Sequence, residues 1–474
     1  MSYGIYIGKN HSSTGHAWLA GYGDEPSSHW LEIVPRGSHP DTATITVGMT
    51  PEADLPGRLS TIPQVAETAR HLRVSYSYYL GAPSPLTNGG LNEHGVAVRD
   101  IWAPSRPELI ALTPAEQTGP NYSDLARIIL ERAHSAREGV DIIEDMIATH
   151  GYSSYGGNSH IIADTDEAWV VIEFAGGLGL WVAERLGPDS IRASRPGYIG
   201  RIPMEPSEDF HFPSHFITTA IDRGWYDPGS GAFDVNAVYG DGKGRWDGVQ
   251  WIETEMQARA ARAEKISQPD VIWAISTEKL TGDTAGYGQV VPLLDPSDDA
   301  LRLLWHAPVG PVTAPLVPVF IGQTDVPVEY GLHRYLTTGE SSRFLDHRHD
   351  DEPDRISTVP QNREVTRSAF QVQKRLMHLA FRLGPVTLRD IRAHWRAMEA
   401  GLAEELPDIV ASAEILMAAG RTDLAAQALT RFSSQALSLA LQDAEALSAA
   451  YEVLLRNAGG LKDGGSAMVP EQIW

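Results

Sequence analysis

The chain has 474 residues, with 38 basic against 61 acidic side chains and a formal net charge of −23. This acidic balance argues against nucleic acid and anionic membrane surfaces as partners, because both are themselves negatively charged. Hydrophobic residues make up 42% of the chain, which is enough for a large core or for two to three structural units. The sequence contains no cysteine, which excludes disulfides, thiolate metal sites and a cysteine nucleophile.

Targeting signals are not visible in the sequence. No apolar run reaches the roughly 18 residues that a membrane-spanning helix needs. The first residues also lack the basic and apolar regions of a signal peptide. We therefore expect a cytoplasmic protein that acts on a small-molecule substrate, with no nucleic-acid or membrane partner. The sequence leaves the oligomeric state open, a homo-oligomer included.

Short runs of β-type residues come first along the chain. Residues 3–7 and 16–20 are two such runs, separated by a turn-rich connector at 10–15, and residues 30–34 form a third. This pattern predicts a hairpin with the N-terminus at its edge, followed by another strand.

Two amphipathic helices are predicted next. Leu125, Ile128 and Ile129 follow the i, i+3, i+4 spacing of one helix face. Ser135 and Glu138 then have the spacing of a capping box, which predicts the start of a second helix. We expect that helix to end at a glycine, residue 151.

Strand signals return after these helices. Residues 160–163, 168–174 and 178–183 are β-type runs separated by tight turns, which is typical of an antiparallel meander. The residues alone therefore predict a mixed fold with antiparallel sheets.

The last part of the chain is strongly helical. From about Glu364 onward, apolar residues recur on one helix face, and further helices are predicted through 388–456. We predict one domain over 1–360 and a C-terminal helical subdomain over 361–474. The charged segment 346–354 is interpreted as a linker. Its histidines, His347 and His349, are interpreted as part of a solvated acidic loop rather than as metal ligands.

Ser2 is the first candidate for catalysis. Once Met1 is removed, its hydroxyl and a free α-amine share one carbon atom. An α-amine titrates at about 7.7 to 8.0, so a fraction is neutral at physiological pH and can take a proton from the hydroxyl. Ser2 would then supply both a nucleophile and its base.

Several short motifs occur in a characteristic order along almost the whole chain. They are Ser2–Lys9, Gly89–Val96, Gly156–Asp164, Glu167–Val171, Gly224–Pro228, Phe233–Asp234 and Pro315–Gly322. This ordered set resembles the C69 dipeptidase family, N-terminal-nucleophile hydrolases related to penicillin V acylases and bile-salt hydrolases. The family has cysteine where this chain has Ser2. The resemblance implies an α+β fold, a four-layer αββα sandwich, and an enzyme that needs no metal or other cofactor.

The resemblance also implies roles for individual residues. Asp24 would hydrogen-bond the free amine, although Gly21 stands where the family has an arginine. Asn92 would donate to the oxyanion, or else serve as a turn asparagine between two strands. Arg195 replaces a second oxyanion asparagine, and its guanidinium could donate to the oxyanion or bind a substrate carboxylate. Asn158 is a candidate for substrate binding or for a turn.

These observations predict a C69-like amidohydrolase that cleaves a small peptide or acyl-amide bond through Ser2. Two alternatives remain open. One is an acyltransferase of a biosynthetic pathway on the same fold, and the other is a catalytically silent binding or scaffold protein. The sequence does not identify the substrate or show whether Met1 is removed.

Overall fold

The computed structural model describes residues 2–25, 27–77, 81–83, 85–332 and 367–458. The predicted linker at 346–354, with His347 and His349, lies outside the described residues. So does the predicted domain boundary between residues 360 and 361, which therefore stays a prediction.

The strands are short to medium in length, and most strands of the two large sheets are buried, whereas the strands of the small two-stranded sheets are more exposed. They are β1 (Tyr3–Ile7), β2 (Ala17–Gly23), β3 (His29–Val34), β4 (Gly37–Ser38), β5 (Thr44–Val47), β6 (Ser60–Pro63), β7 (Glu67–Thr68), β8 (His71–Tyr76), β9 (Leu86–Asn92), β10 (Ala97–Trp102), β11 (Asn158–Ala163), β12 (Ala168–Glu173), β13 (Trp181–Leu186), β14 (Ile191–Ser194), β15 (Arg201–Ile202), β16 (Phe210–His211), β17 (Phe233–Asp234), β18 (Tyr287–Leu293), β19 (Leu303–Ala307) and β20 (Val317–Phe320).

The helices fall between the strands and after them. They are α1 (Pro107–Leu112), α2 (Tyr122–Arg132), α3 (Ala136–His150), α4 (Phe216–Asp222), α5 (Val235–Tyr239), α6 (Asp247–Ala260), α7 (Gln268–Ser276), α8 (Ala369–Leu383), α9 (Pro385–Ala418) and α10 (Thr422–Asn457). Within the described part of the chain, no helix is both long enough and apolar enough to cross a membrane.

Two antiparallel sheets organise the molecule. The first sheet has six strands in the order β14-β1-β2-β18-β19-β20, and the second has eight in the order β16-β13-β12-β11-β10-β9-β8-β3. The predicted hairpin is confirmed as β1 and β2, with Tyr3 opposite Tyr22. The predicted meander is confirmed as β11, β12 and β13.

The helix before the meander begins and ends close to its predicted limits. Ser135 Oγ accepts a hydrogen bond from the Glu138 backbone N–H at 3.1 Å. The Glu138 carboxylate accepts from the His134 N–H instead of the Ser135 N–H, so only half of the predicted capping box forms. At the other end, Gly151 has φ of 84°, which glycine adopts without steric strain.

Apolar side chains fill the space between the two sheets and cover their outer faces. One core lies between the sheets and includes Tyr6 of the first sheet and Ile161 of the second. A second core joins the other face of the first sheet, for example Ile5, to α6, α7 and the C-terminal helices. A third joins the outer face of the second sheet to α2 and α3, as at Ile162 and Ile129. Strands covered on both faces explain why β1 and β2 are almost uniformly apolar. The predicted α+β sandwich with four αββα layers is confirmed.

Candidate active site

Ser2 lies at the end of the first sheet. Because Tyr3 pairs with Tyr22, continuing the register places Ser2 beside Gly23 at the end of β2. The Ser2 side chain is buried, with 4% of its surface exposed. Its Oγ donates a hydrogen bond to Glu25 Oε1 at 2.6 Å. The strand pairing of β1 therefore brings the N-terminal hydroxyl to a carboxylate two residues beyond β2.

Glu25 belongs to a buried chain of polar groups. Asn88 Nδ2 donates to Glu25 Oε2 at 2.7 Å, and Arg99 Nη1 donates to Asn88 Oδ1. Burial opposes ionisation of Glu25, but the His29 ring, the Arg99 charge and the Ser2 hydroxyl together lower its pKa to about 2. Glu25 is therefore a carboxylate at neutral pH, and it accepts hydrogen bonds on both oxygens.

A β-bulge directs Asn88 toward Glu25. Val74 pairs with Gly89 and Ser75 pairs with Thr87, so Asn88 is an extra residue on β9 without a partner on β8. An extra residue of this kind breaks the alternation of side chains and turns one of them to a new direction. The bulge thus supplies an amide at a position that regular strand geometry would not predict.

Close packing at Gly23 leaves no room for a side chain there. A Cβ at this position would lie 2.4 Å from Glu25 Oε2 and 2.6 Å from Asn88 Nδ2. Glycine at the end of β2 therefore lets the carboxylate and the amide meet beside Ser2.

Arg99 anchors the far end of the chain of polar groups. It is fully buried and donates to Asn88 O at 2.6 Å, to Tyr287 Oη at 2.7 Å and to Tyr22 O at 2.6 Å. These oxygens hold the guanidinium in place, so its positive charge remains close to Glu25. An ionised carboxylate can be buried here because this charge compensates it.

His29 completes the surroundings of Glu25. Its Nε2 lies 3.8 Å from Glu25 Oε2, and its Nδ1 lies 2.7 Å from Ser27 O. A carbonyl only accepts, so Nδ1 carries a hydrogen. Burial lowers the pKa of His29. The ring stacks on Tyr76, with centroids 5.2 Å apart, and this contact fixes its orientation.

Asp24 and Arg195 lie at the same end of the first sheet as Ser2. Asp24 accepts a hydrogen bond from Thr284 Oγ1, and its Oδ2 lies 3.6 Å from Arg195 Nη2. The carboxylate that accepts from the Ser2 hydroxyl is nevertheless Glu25 and not Asp24. The predicted roles of Asp24 on the amine and of Arg195 on the substrate stay predictions.

The side chain of Asn92 makes its hydrogen bonds around the turn that follows β9. Its Nδ2 donates to Leu130 O at 3.3 Å and to Ala133 O at 2.7 Å, and its Oδ1 accepts from backbone N–H groups of the turn after β9. It lies four residues beyond Asn88, or about 13 Å along a strand. Both amide hydrogens are therefore donated to carbonyls at the C-terminal end of α2 and just beyond it. The predicted oxyanion role of Asn92 stays a prediction.

Asn158 is fully buried at the start of β11, in a strand rather than in a turn. It accepts from Tyr155 Oη at 3.0 Å and donates to Ser159 O at 3.1 Å. These bonds stay within its own segment and do not join it to Ser2 or Glu25. Its role in substrate binding stays a prediction.

Glu25, Asn88, His29 and Arg99 were not among the predicted site residues. One local signal was present in the sequence. Asn88 directly precedes two glycines inside a strand pattern, and glycine in a strand often marks a bulge. The other three are identified only by contacts between segments distant in sequence.

A comparison with known protein families gives the same family as the sequence motifs. Residues 82–246 match the model of peptidase family C69. The predicted family resemblance is confirmed for this stretch. It contains Asn88 and Arg99 of the polar chain described above, as well as Arg195.

Two curated relatives of this chain are dipeptidases by name. The probable dipeptidase B of Lactococcus lactis is 32% identical over 102 residues, which cover 21% of each chain. The probable dipeptidase of Salmonella dublin is 29% identical over 154 residues, which cover 32% of this chain and 34% of the relative. The alignments thus span only about a fifth to a third of these relatives.

Two solved structures of conjugated bile acid hydrolase from Clostridium perfringens, both of variant proteins, also match. The first is 9% identical to this chain, the match covers 69% of this chain and 94% of the bile acid hydrolase chain, and the TM-score is 0.33. The second is 8% identical to this chain, the match covers 68% of this chain and 93% of the bile acid hydrolase chain, and the TM-score is 0.32.

Proposed function

We propose that this protein is an N-terminal-nucleophile amidohydrolase that cleaves the amide bond of a small peptide or acyl amide through Ser2. The C69 match and the dipeptidase relatives support a peptidase or related amidohydrolase. The observation that carries the proposal is the buried hydrogen bond from Ser2 Oγ to the ionised Glu25. A buried carboxylate that accepts from an amide and lies near the charge of a guanidinium is a costly arrangement, and such arrangements are concentrated at functional sites.

The chemistry begins when the residue before Ser2 is removed. The free α-amine takes the hydroxyl proton, directly or through one water, while Oγ attacks the carbonyl carbon of the substrate. The tetrahedral intermediate expels the leaving nitrogen, which receives that proton from the ammonium. A water molecule then gives a proton to the amine and attacks the ester on Ser2. The tetrahedral intermediate expels Ser2 Oγ, which takes that proton back from the ammonium, and the acid is released. Ser2 therefore needs no separate base residue.

Glu25 acts through position and charge in this scheme. With a pKa of about 2 it is too weak a base to take the hydroxyl proton at neutral pH. As an acceptor 2.6 Å from Oγ, it fixes the position of the nucleophile before the reaction, and the hydroxyl turns its proton from Glu25 to the amine as Oγ attacks. Its negative charge also stabilises the ammonium that forms when the amine is protonated, because opposite charges attract strongly in a buried site. Asn88 and Arg99 are positioning residues that hold Glu25 ionised and in place.

A panel of dipeptides and N-acyl amino acids, with products identified by mass spectrometry, tests the proposal. The protein with a verified free Ser2 is expected to release the acid and the amine, and Ser2→Ala is expected to release neither. An added amine that appears in the product would show acyl transfer through the same ester. If a protein with verified free Ser2 cleaves no member of the panel, the proposal is contradicted and the silent binding protein is favoured.

A further inference from the structure

The first helix of the C-terminal segment, α8, contacts the loops around Ser2. The ring of Phe370 lies 5.6 Å from the ring of His29, and Gln371 Nε2 donates to Ser28 Oγ at 3.4 Å. One turn further along, Lys374 Nζ points toward the same region. Residues four apart share one helix face, so Phe370 and Lys374 both face the site.

Lys374 is a buried cation with unused hydrogen-bond donors. Its exposed fraction is only 8%, and within the described part of the chain its one hydrogen-bond acceptor is Asp283 O, at 2.7 Å. An ammonium has three donors, so two remain for another group. Burial lowers its pKa to about 8, which still leaves most of it charged at neutral pH. A buried charge with free donors is costly unless an anion or water binds it.

A short run of contacts links Lys374 to the nucleophile. The carbonyl that Lys374 binds belongs to the residue before Thr284, and Thr284 Oγ1 donates to Asp24. Asp24 is followed directly by Glu25, which accepts from Ser2. The ammonium therefore lies on the same wall of the site as these carboxylates. A substrate that spans from Ser2 to this ammonium has the cleaved amide at one end and an anionic group near the other.

Arg195, the other cation at this end of the sheet, is already occupied. Its guanidinium donates to Tyr22 Oη and to Leu280 O, and it pairs with Asp24 at 3.6 Å. An anion that approached Arg195 would compete with these contacts, whereas two donors of Lys374 have no acceptor among the residues that the structure describes.

We infer that Lys374 binds a free carboxylate of the substrate and so sets the position of the amide bond over Ser2. This inference rests on the proposed amidohydrolase function and specifies its substrate class. The substrates are dipeptides or N-acyl amino acids with a free α-carboxylate, and their amidated forms are disfavoured. The C-terminal helical segment then contributes a specificity residue to a nucleophile located at the other end of the chain.

The test uses the full-length enzyme and matched pairs of substrates. For each dipeptide that the wild type cleaves, kcat/KM is compared with that of its C-terminal amide, in wild type and in Lys374→Met. Lys374→Met removes a hydrogen-bonded charge pair with the substrate carboxylate. We therefore expect the kcat/KM of the free dipeptide, divided by that of its amide, to fall by about 10- to 100-fold, mainly through a higher KM for the free dipeptide. Lys243→Met is the control, since it removes an exposed lysine with 78% of its side chain accessible. That control is expected to keep the wild-type ratio.

Two further readouts separate substrate recognition from a structural role. Lys374→Arg keeps the charge and should keep most of the preference for the carboxylate substrate, whether or not Lys374→Met is stable. In the Ser2→Ala background, the Kd of the dipeptide should rise on Lys374→Met by a factor similar to the loss in kcat/KM. An unchanged ratio in Lys374→Met overturns the inference while leaving the Ser2 chemistry intact. Absence of Ser2-dependent cleavage in the wild type instead overturns the proposed function.

Discussion

The Ser2 hydroxyl and the Glu25 carboxylate are joined by a buried hydrogen bond of 2.6 Å. The second oxygen of this carboxylate accepts from Asn88, which in turn accepts from Arg99. The Ser2 hydroxyl, which we propose as the nucleophile, is thus one end of a series of polar groups whose other end is a fixed positive charge. Substitutions of these polar groups should lower the catalytic rate more than they lower stability. The loss of rate should be largest for the residues that contact Ser2 directly.

Replacing Ser2 tests the nucleophile itself. Ser2→Ala, with Met1 still removed, is expected to abolish cleavage and to keep the fold, because only the reacting oxygen is lost. Ser2→Cys should keep or raise activity, because a thiol is the stronger nucleophile. Ser13→Ala removes an exposed hydroxyl and is the matched control. Initial rates and melting curves of the four proteins give the answer, and wild-type turnover by Ser2→Ala would refute the assignment.

Replacing Glu25 tests the charge beside the nucleophile. Glu25→Gln keeps the shape of the side chain but removes the negative charge, so the ammonium formed during the reaction loses its stabilising partner. We expect kcat to fall by about 10- to 100-fold with a smaller change in KM. Glu52→Gln, at an exposed position, is the control. If both variants had the kcat of the wild type, Glu25 would have no part in the reaction.

Asn88 and Asn92 provide a matched pair of substitutions on one strand. Asn88→Ala removes a donor to Glu25 and should lower kcat by about 10-fold or more. Asn92→Ala removes the donors to the carbonyls of Leu130 and Ala133 and should lower the free energy of unfolding by about 1–3 kcal/mol, with kcat per folded molecule retained. Urea unfolding together with active-site-normalised kcat distinguishes the two effects. The reverse pattern would restore Asn92 as the catalytic asparagine.

The contrast between these asparagines shows what the sequence could and could not predict. Strand alternation, helix periodicity and the capping serine identified the hairpin, α2, α3 and the meander, because these signals are local. Asn92 matched a family motif, but its side chain is used by the turn. The direction of Asn88 depends on a bulge against β8, and Glu25 reaches Ser2 only through the pairing of β1 with β2. Such relationships are set by tertiary contacts that no local pattern contains.

The buried His306 of β19 makes stability depend on pH. Burial lowers the pKa of His306 to about 3, whereas an unfolded histidine titrates near 6.5. Between these values the unfolded chain binds a proton that the folded chain does not, so stability should fall as the pH is lowered below 6.5. His306→Leu removes this contribution. We expect the loss of unfolding free energy between pH 7 and pH 5 to be smaller in the variant by up to about 2 kcal/mol. Equal losses in the wild type and the variant, measured by urea unfolding at the two pH values, would show that His306 takes up its proton over the same pH range in the folded and the unfolded chain.

The free amine of Ser2 is the central requirement of the proposed mechanism, and the mass of the N-terminal tryptic peptide tests it most directly. The peptide should be taken from a preparation whose amidohydrolase activity has been measured, and trypsin should cleave after Lys9. The mechanism predicts a peptide that spans Ser2–Lys9 with an unmodified amine. A fully active preparation whose peptide still begins with Met1, or whose Ser2 amine is blocked, would contradict it.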